Sequence, residues 1–195
     1  KDMDFDLGAI GFEQDFMAAH TPEKMTEGLT DPDEVPENVE TRCKPGDLWI
    51  LGNHRLLCGD STNVQHVERL MGGEKADMVF TDPPYGLDWS GGTWAKKHAK
   101  AKEWDKLLEQ GVVDFILQLS DKVILWGGNY YQVPPSRCWL SFRKTNALKT
   151  GSDFELAWTN FDKCCKEFAA ACNSEGRRQH PTQKPVALAE WCFQN

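Results

Sequence analysis

The sequence of 195 residues lacks the marks of several protein classes. It has no apolar run near the ~20 residues that a membrane-spanning helix needs, and its charged start, Lys1–Asp6, excludes a signal-peptide pattern. The seven cysteines form no Cys-x-x-Cys pair, so we expect neither a metal site nor a disulfide framework. These absences favour a cytoplasmic protein with reduced thiols. The missing initiator methionine favours a fragment of a longer chain.

A net charge of −8 argues at first against a nucleic-acid partner, because phosphate contacts need lysine and arginine. The charge is unevenly distributed, however. Residues 1–47 hold 13 acidic and 4 basic residues, whereas residues 48–195 hold 17 acidic and 18 basic residues. The sequence therefore predicts an acidic linker or tail over 1–47 and a nearly neutral domain over 48–195.

Short apolar strands alternate with helical segments after residue 47. We predict helices from Ser61 or Thr62 (as N-cap) to Met71, across 93–120 with an interruption at Gly111, and from Pro185 onward. A further short helix is predicted near residues 12–19. The predicted strands are 48–51, 55–58, 77–81, 123–126, 138–142 and 154–158. This alternation is typical of an α/β fold with a parallel sheet.

The string Asp82-Pro83-Pro84-Tyr85 directly follows one of these strands. Ligands of open α/β sheets bind outside the carboxyl ends of strands. The two prolines fix an extended backbone and remove two N–H donors, which leaves a carboxylate and carbonyl oxygens beside an aromatic ring. Such a site suits an amino group on a flat ring. The alternative is an ordinary proline-containing turn.

Asp60 precedes Asp82 by about one helix and one strand. We therefore expect Gly59-Asp60 to end the neighbouring strand of the same sheet. An acidic residue there could accept a hydrogen bond from a nucleotide-like cofactor. The alternative role for Asp60 is to cap the following helix.

The chain resembles DNA amino-methyltransferases of the permuted (beta) order, in the subgroup often fused to a ParB-like nuclease domain. The resemblance covers roughly residues 27–195 and rests on strings in the family's order. These strings are 28–36, Pro45–Ser61, Thr81–Gly86, Trp126–Asn129, Phe154–Trp158 and His180–Pro185.

The resemblance implies a Rossmann-like, doubly wound methyltransferase sheet, parallel with an antiparallel edge strand. It implies methyl transfer from S-adenosylmethionine to N6 of a flipped-out adenine in double-stranded DNA, with Asp82, Pro83, Pro84 and Tyr85 as the catalytic string. It also allows a homodimer and an upstream ParB-like domain, in a bacterial, phage or prophage setting. The residues that match the family's cofactor contacts are Asp60, Asp82, His180, Thr182 and Lys184.

One departure from the family pattern concerns the glycine-rich cofactor loop. In the permuted order this loop follows the His180–Pro185 segment, and no glycine-rich string of this sequence follows a suitable strand. We therefore expect the strands that carry the loop to be missing from 48–195. A partial catalytic domain of this kind should bind S-adenosylmethionine weakly or not at all on its own.

A cluster of lysines follows the catalytic string and is interleaved with tryptophans. Bases next to aromatic rings suit the grip on a phosphate backbone and a flipped nucleotide. The alternative is a solvated helix face that Trp104 anchors to the core. The predicted DNA-binding lysines are Lys96, Lys97, Lys100 and Lys102.

Three functions are compatible with the sequence. The first is an adenine-N6 DNA methyltransferase, which the aspartate at position 82 favours, since serine is more frequent there in cytosine enzymes of this family. The second is a cytosine-N4 DNA methyltransferase. The third is a non-catalytic DNA-binding or assembly module derived from such an enzyme.

Overall fold

The computed structural model describes residues 40–87, 105–146, 152–171 and 183–194. The contacts divide the chain into Lys1–Arg42 and Cys43–Asn195, and every element listed here belongs to the second unit. The strands are β1 (Leu48–Leu51), β2 (His54–Leu57), β3 (Val79–Thr81), β4 (Val123–Trp126), β5 (Trp139–Lys144), β6 (Phe154–Thr159) and β7 (Lys166–Ala170). The helices are α1 (Val64–Met71), α2 (Gln110–Gln118) and α3 (Val186–Gln194), with one 3₁₀ turn at Gly128–Tyr130.

These elements form a mixed α/β structure, as the alternating pattern predicts. Strands β1 and β2 make an antiparallel hairpin around a turn at Gly52, whose φ of 62° suits glycine. The other five strands form a sheet in the order β3-β4-β6-β5-β7. None of the described helices is long and apolar enough to cross a lipid bilayer.

The five-stranded sheet is mixed, and its antiparallel strand lies inside it. Strand β6 runs antiparallel to both of its neighbours, β4 and β5, whereas β3 pairs with β4 and β7 with β5 in parallel. The prediction of an antiparallel edge strand is therefore wrong for the described sheet. The physical reason is that β6 folds back on β5 and inserts between β5 and β4.

Strand β7 was not predicted from the sequence. Its segment Lys-Glu-Phe-Ala-Ala is rich in helix-forming residues. It is extended because it pairs in parallel with β5 over five residues and packs Phe168 against the core. Tertiary pairing here overrides local preference.

Two helix predictions are corrected. Asn63, not Ser61 or Thr62, is the N-cap of α1, since its side chain accepts hydrogen bonds from the amides of Gln65 and His66. Thr62 instead donates both its amide and its hydroxyl to Asp60. Gly111 does not interrupt a helix, because it lies in the first turn of α2, which begins only at Gln110. The predicted helix over 12–19 and residues 93–104 of the predicted helix over 93–120 lie outside the described residues, and the prediction is wrong for residues 105–109, which are not helical.

Strand β4 is the centre of the core and is buried on both faces. Ile124 and Trp126 pack on the face that also holds Leu188 and Cys192 of α3. Val123 and Leu125 pack on the other face, with Val113 of α2. Helices thus cover both faces of the sheet. Polar side chains can therefore gather at the ends of its strands, among them the carboxyl ends of the parallel strands β3 and β4.

Candidate active site at the carboxyl edge of the sheet

Five polar side chains meet at one end of the five-stranded sheet, where strands β3, β4 and β5 have their carboxyl ends. Asp82 and Tyr85 follow β3, and Lys144 ends the parallel strand β5. Glu155 is the second residue of β6, whose reversed direction brings its amino end to this same edge. Lys184 lies two residues before α3. Residues that are far apart in sequence therefore form one cluster.

The ammonium group of Lys184 is the centre of this cluster. Its Nζ lies 2.5 Å from Asp82 Oδ2 and 2.9 Å from Glu155 Oε2. It also lies 3.2 Å from the Tyr85 hydroxyl, and only 16% of the Lys184 side chain is exposed. A cation that is largely removed from water is thus held by two carboxylates, as burial of a charge requires.

The Tyr85 hydroxyl links the two carboxylates. It donates to Asp82 Oδ1 at 2.7 Å and lies 3.5 Å from Glu155 Oε2. Burial raises the pKa of Tyr85 well above its ordinary value, and the neighbouring charges of Asp82 and Glu155 raise it further. The phenol therefore remains protonated and acts as a hydrogen-bond donor to Asp82.

Glu155 has a second cationic partner. Lys144 Nζ lies 2.7 Å from Glu155 Oε1, so each carboxylate oxygen faces a different lysine. Burial raises the pKa of Glu155, but Lys184 and Lys144 together outweigh burial and hold that pKa below its ordinary value. Glu155 is consequently ionised at neutral pH.

Aromatic rings form the walls of the cluster. The Tyr85 ring stacks on Tyr130, with centroids 4.9 Å apart and an interplanar angle of 20°. Lys184 Nζ lies 5.5 Å from the ring centroids of both Tyr85 and Trp126, within the range of cation–π attraction. Gly127 has a φ of 69°, and a Cβ there would lie 2.1 Å from Tyr85 Cε1. Glycine is therefore required for Tyr85 to occupy this place.

The backbone after β3 is fixed by nearby side chains. Pro83 is buried. The carbonyl of Pro84 accepts a hydrogen bond from the Tyr131 hydroxyl, so it is not one of the bare carbonyls that the sequence predicts. The amide of Gly86 donates to Asp105 Oδ1 at 3.1 Å. The backbone of residues 84–86 is thus held by Tyr131, which follows the 3₁₀ turn after β4, and by Asp105, which precedes α2.

Asp60 lies elsewhere, and the expectation that it ends a strand beside β3 is wrong. It follows β2, which belongs to the separate hairpin, and the described neighbour of β3 is β4. Asp60 Oδ1 accepts from the amide and hydroxyl of Thr62, and these hydrogen bonds lower its pKa. Its own amide donates to His66 Nδ1 at 2.9 Å. Asp60 therefore organises the turn into α1 without being its cap.

Several predicted site residues lie outside the described residues. They are His180, Thr182, Lys96, Lys97, Lys100 and Lys102. Within the described part of the chain, no group of His, Cys, Asp and Glu side chains is arranged to hold a metal ion.

The sequence did not reveal the roles of Glu155, Lys144, Tyr130 and Tyr131. Of the four, Glu155 has the clearest sequence signal, because it is an acidic residue at the start of an apolar strand. Its position at the edge shared with Asp82 depends on the reversed direction of β6, which the strand pattern does not indicate.

Comparison of the chain with protein-family models, with curated proteins and with solved structures gave no match in any of the three.

Proposed function

We propose that the chain is a DNA methyltransferase that transfers a methyl group from S-adenosylmethionine to N6 of a flipped-out adenine in double-stranded DNA. The observation that carries this proposal is that Asp82, at the end of β3, already accepts a hydrogen bond from an amino nitrogen, that of Lys184, beside a tyrosine ring. The strand end thus has the acceptor and the aromatic wall that an exocyclic amino group on a flat ring requires.

Asp82 and the carbonyl of Pro83 would act on the amino group of the target base. The lone pair of an exocyclic adenine nitrogen is delocalised into the ring, which makes it a poor nucleophile. Two hydrogen bonds to its N–H groups favour a pyramidal nitrogen whose lone pair is available for the methyl carbon. When bound, the sulfonium cofactor would give up its methyl group by cleavage of the S–CH3 bond and leave as a neutral thioether, and the nitrogen would lose one proton to Asp82 or to water.

Tyr85 would have two duties in this reaction. Its protonated hydroxyl donates to Asp82 Oδ1 and so holds the carboxylate with Oδ2 directed to the amino group. Its ring offers a surface for the flipped base, and a base stacked on an aromatic side chain gains roughly 1–3 kcal/mol. Because Tyr130 covers one face of this ring, the base would use the other face or displace Tyr130.

The cluster has groups that suit the methionine end of the cofactor. S-adenosylmethionine would supply an electrophilic methyl group on a sulfonium. The ammonium of Lys184 suits a carboxylate, and the buried indole N–H of Trp126, whose ring is 5.5 Å from that ammonium, has no hydrogen-bond partner within the described structure. An unsatisfied buried donor beside a cation fits an anionic ligand group.

The remaining predicted contacts stay proposals. A Rossmann-like arrangement agrees with helices on both faces and with a polar cluster at the carboxyl ends of β3 and β5. Asp60 as a contact to the cofactor, His180 and Thr182 near its methionine end, and the lysine cluster Lys96–Lys102 as the DNA grip rest on the family resemblance.

Substitution of Asp82 by alanine tests the assignment. In the protein expressed from its complete gene, we expect Asp82→Ala to lower the rate of labelled methyl transfer to unmethylated DNA by at least about 100-fold. DNA binding should remain largely intact. Asp162→Ala is the matched control, because Asp162 is an exposed acid paired with Arg137 away from the cluster. Full activity of the Asp82 variant would overturn the assignment.

A further inference from the structure

Lys184 occupies the acceptor that the target base would need. Its ammonium is 2.5 Å from Asp82 Oδ2, while Oδ1 already accepts from Tyr85. Both oxygens of Asp82 therefore accept a hydrogen bond from a neighbouring side chain. An incoming amino group therefore competes with the ammonium of Lys184 for Asp82 Oδ2, and it binds best when Lys184 withdraws from that oxygen.

Withdrawal of Lys184 requires another anion. It costs free energy to leave an ammonium group without a charged partner when it is mostly screened from water. Glu155 supplies that partner, because its Oε2 lies 2.9 Å from Lys184 Nζ and would keep the ammonium when Asp82 turns to the substrate.

We propose that Glu155 is a positioning residue of the methyl transfer, which retains Lys184 beside Asp82 and lets it yield Asp82 Oδ2 to the target amino group. This inference rests on the proposed function for its role in the reaction. The contact between Glu155 and Lys184 stands on the structure alone.

The surroundings of Glu155 suit this role. Lys144, at the end of β5, holds Oε1 at 2.7 Å and so fixes the carboxylate in one orientation. The four charged groups are Asp82, Glu155, Lys144 and Lys184, two of each sign. If Lys184 releases Asp82, Glu155 still has both of its lysines, and Asp82 alone is freed for a neutral amino group.

The consequence for catalysis is specific. If Glu155 loses its charge, Asp82 is the one carboxylate of this cluster left for Lys184, and the ammonium competes more strongly with the target base. One charge-assisted hydrogen bond is enough for an increase of about tenfold in the KM for DNA. The effect on kcat should be smaller, because the reacting groups themselves are unchanged.

The activity test compares Glu155→Gln with Glu167→Gln in the protein from its complete gene. Glu167 is the matched control, since it pairs with Arg143 at 3.0 Å in the same sheet but is half exposed. We expect Glu155→Gln to raise the KM for unmethylated DNA. Glu155→Asp, which keeps the carboxylate, should raise the KM much less, and Glu167→Gln should leave it unchanged. An unaltered KM in Glu155→Gln would overturn the proposal, as would equal effects of Glu155→Gln and Glu167→Gln. If Glu155→Gln does not fold, the KM of Glu155→Asp decides. The shorter carboxylate should raise the KM above that of the parent protein, by less than expected for Glu155→Gln, and an unchanged KM would overturn the proposal.

A second measurement does not depend on activity. Carboxyl-¹³C NMR titration follows the pKa of Glu155 in the parent protein and in Lys184→Met, with Lys75→Met as an exposed control. Because Lys184 lowers the pKa of Glu155, we expect that pKa to rise in Lys184→Met only. An unchanged pKa would overturn the link between the two residues. If the parent protein transfers no methyl group, the proposed function fails and this titration alone decides whether Glu155 holds Lys184.

Discussion

At the scale of single residues, the cluster is organised by charge balance and by a buried phenol. Lys184 joins Asp82 and Glu155, and Lys144 completes the pairing of Glu155. The sequence allowed Asp82 and Tyr85 to be proposed from their own chemistry, because prolines and a strand end restrict what the string can do. It could not reveal that Lys184, 102 residues away from Asp82, touches it, since that contact depends on the whole sheet.

The raised pKa of Tyr85 predicts a dependence of stability on alkaline pH. The unfolded chain ionises this tyrosine at about pH 10, whereas the folded chain does not. The free energy of unfolding should therefore fall above pH 10, by up to about 1.4 kcal/mol per pH unit from this group. Urea unfolding from pH 9 to 11 should show a shallower decline in Tyr85→Phe. An identical decline in both proteins would contradict the assignment.

The contact between Gly127 and Tyr85 predicts a costly substitution. Gly127→Ala adds the strain of a positive φ, about 1–2 kcal/mol, to a clash with the tyrosine ring. Gly73→Ala is the matched control, because Gly73 has a φ of 83° but nothing within 4 Å of an added Cβ. Urea unfolding should show a larger loss for Gly127→Ala than for Gly73→Ala. Equal losses would mean that the ring does not pack on Gly127.

At the scale of elements, the sequence predicts segments with a strong local pattern, but it does not predict segments whose conformation depends on tertiary pairing. The apolar run of β4 and the Gly-Asn turn between β1 and β2 carry their own signals. Strand β7 carries none, because its residues favour a helix and it extends only beside β5. The N-cap of α1 was misassigned because three adjacent residues, Ser61, Thr62 and Asn63, can all cap a helix.

The cap of α1 gives a direct comparison. Asn63→Ala removes the side-chain acceptor of two amides and should cost about 1 kcal/mol of the free energy of unfolding. Ser61→Ala, at the alternative cap position, should change it by less than about 0.5 kcal/mol, as is usual for a surface substitution. Urea unfolding of both variants measures the difference. A larger loss for Ser61→Ala would restore the earlier assignment of the cap.

At the scale of the whole molecule, strand direction decides where chemistry can gather. The described sheet has parallel strands β3 and β4 beside the reversed strand β6. An acidic residue at the start of β6 therefore pairs with a lysine at the end of β5 and shares Lys184 with the aspartate after β3. Alternation of strands and helices predicted the mixed α/β class, but it could not predict this insertion, which depends on pairing between strands that are distant in sequence.

The methyl acceptor that we propose for this protein is N6 of adenine in DNA. The most direct measurement incubates the protein from its complete gene with S-adenosylmethionine and unmethylated double-stranded DNA, digests the DNA to nucleosides and identifies the products by mass spectrometry. We expect N6-methyldeoxyadenosine from the parent protein and none from Asp82→Ala. N4-methyldeoxycytidine, or no methylated nucleoside from a protein that binds the DNA, would contradict it.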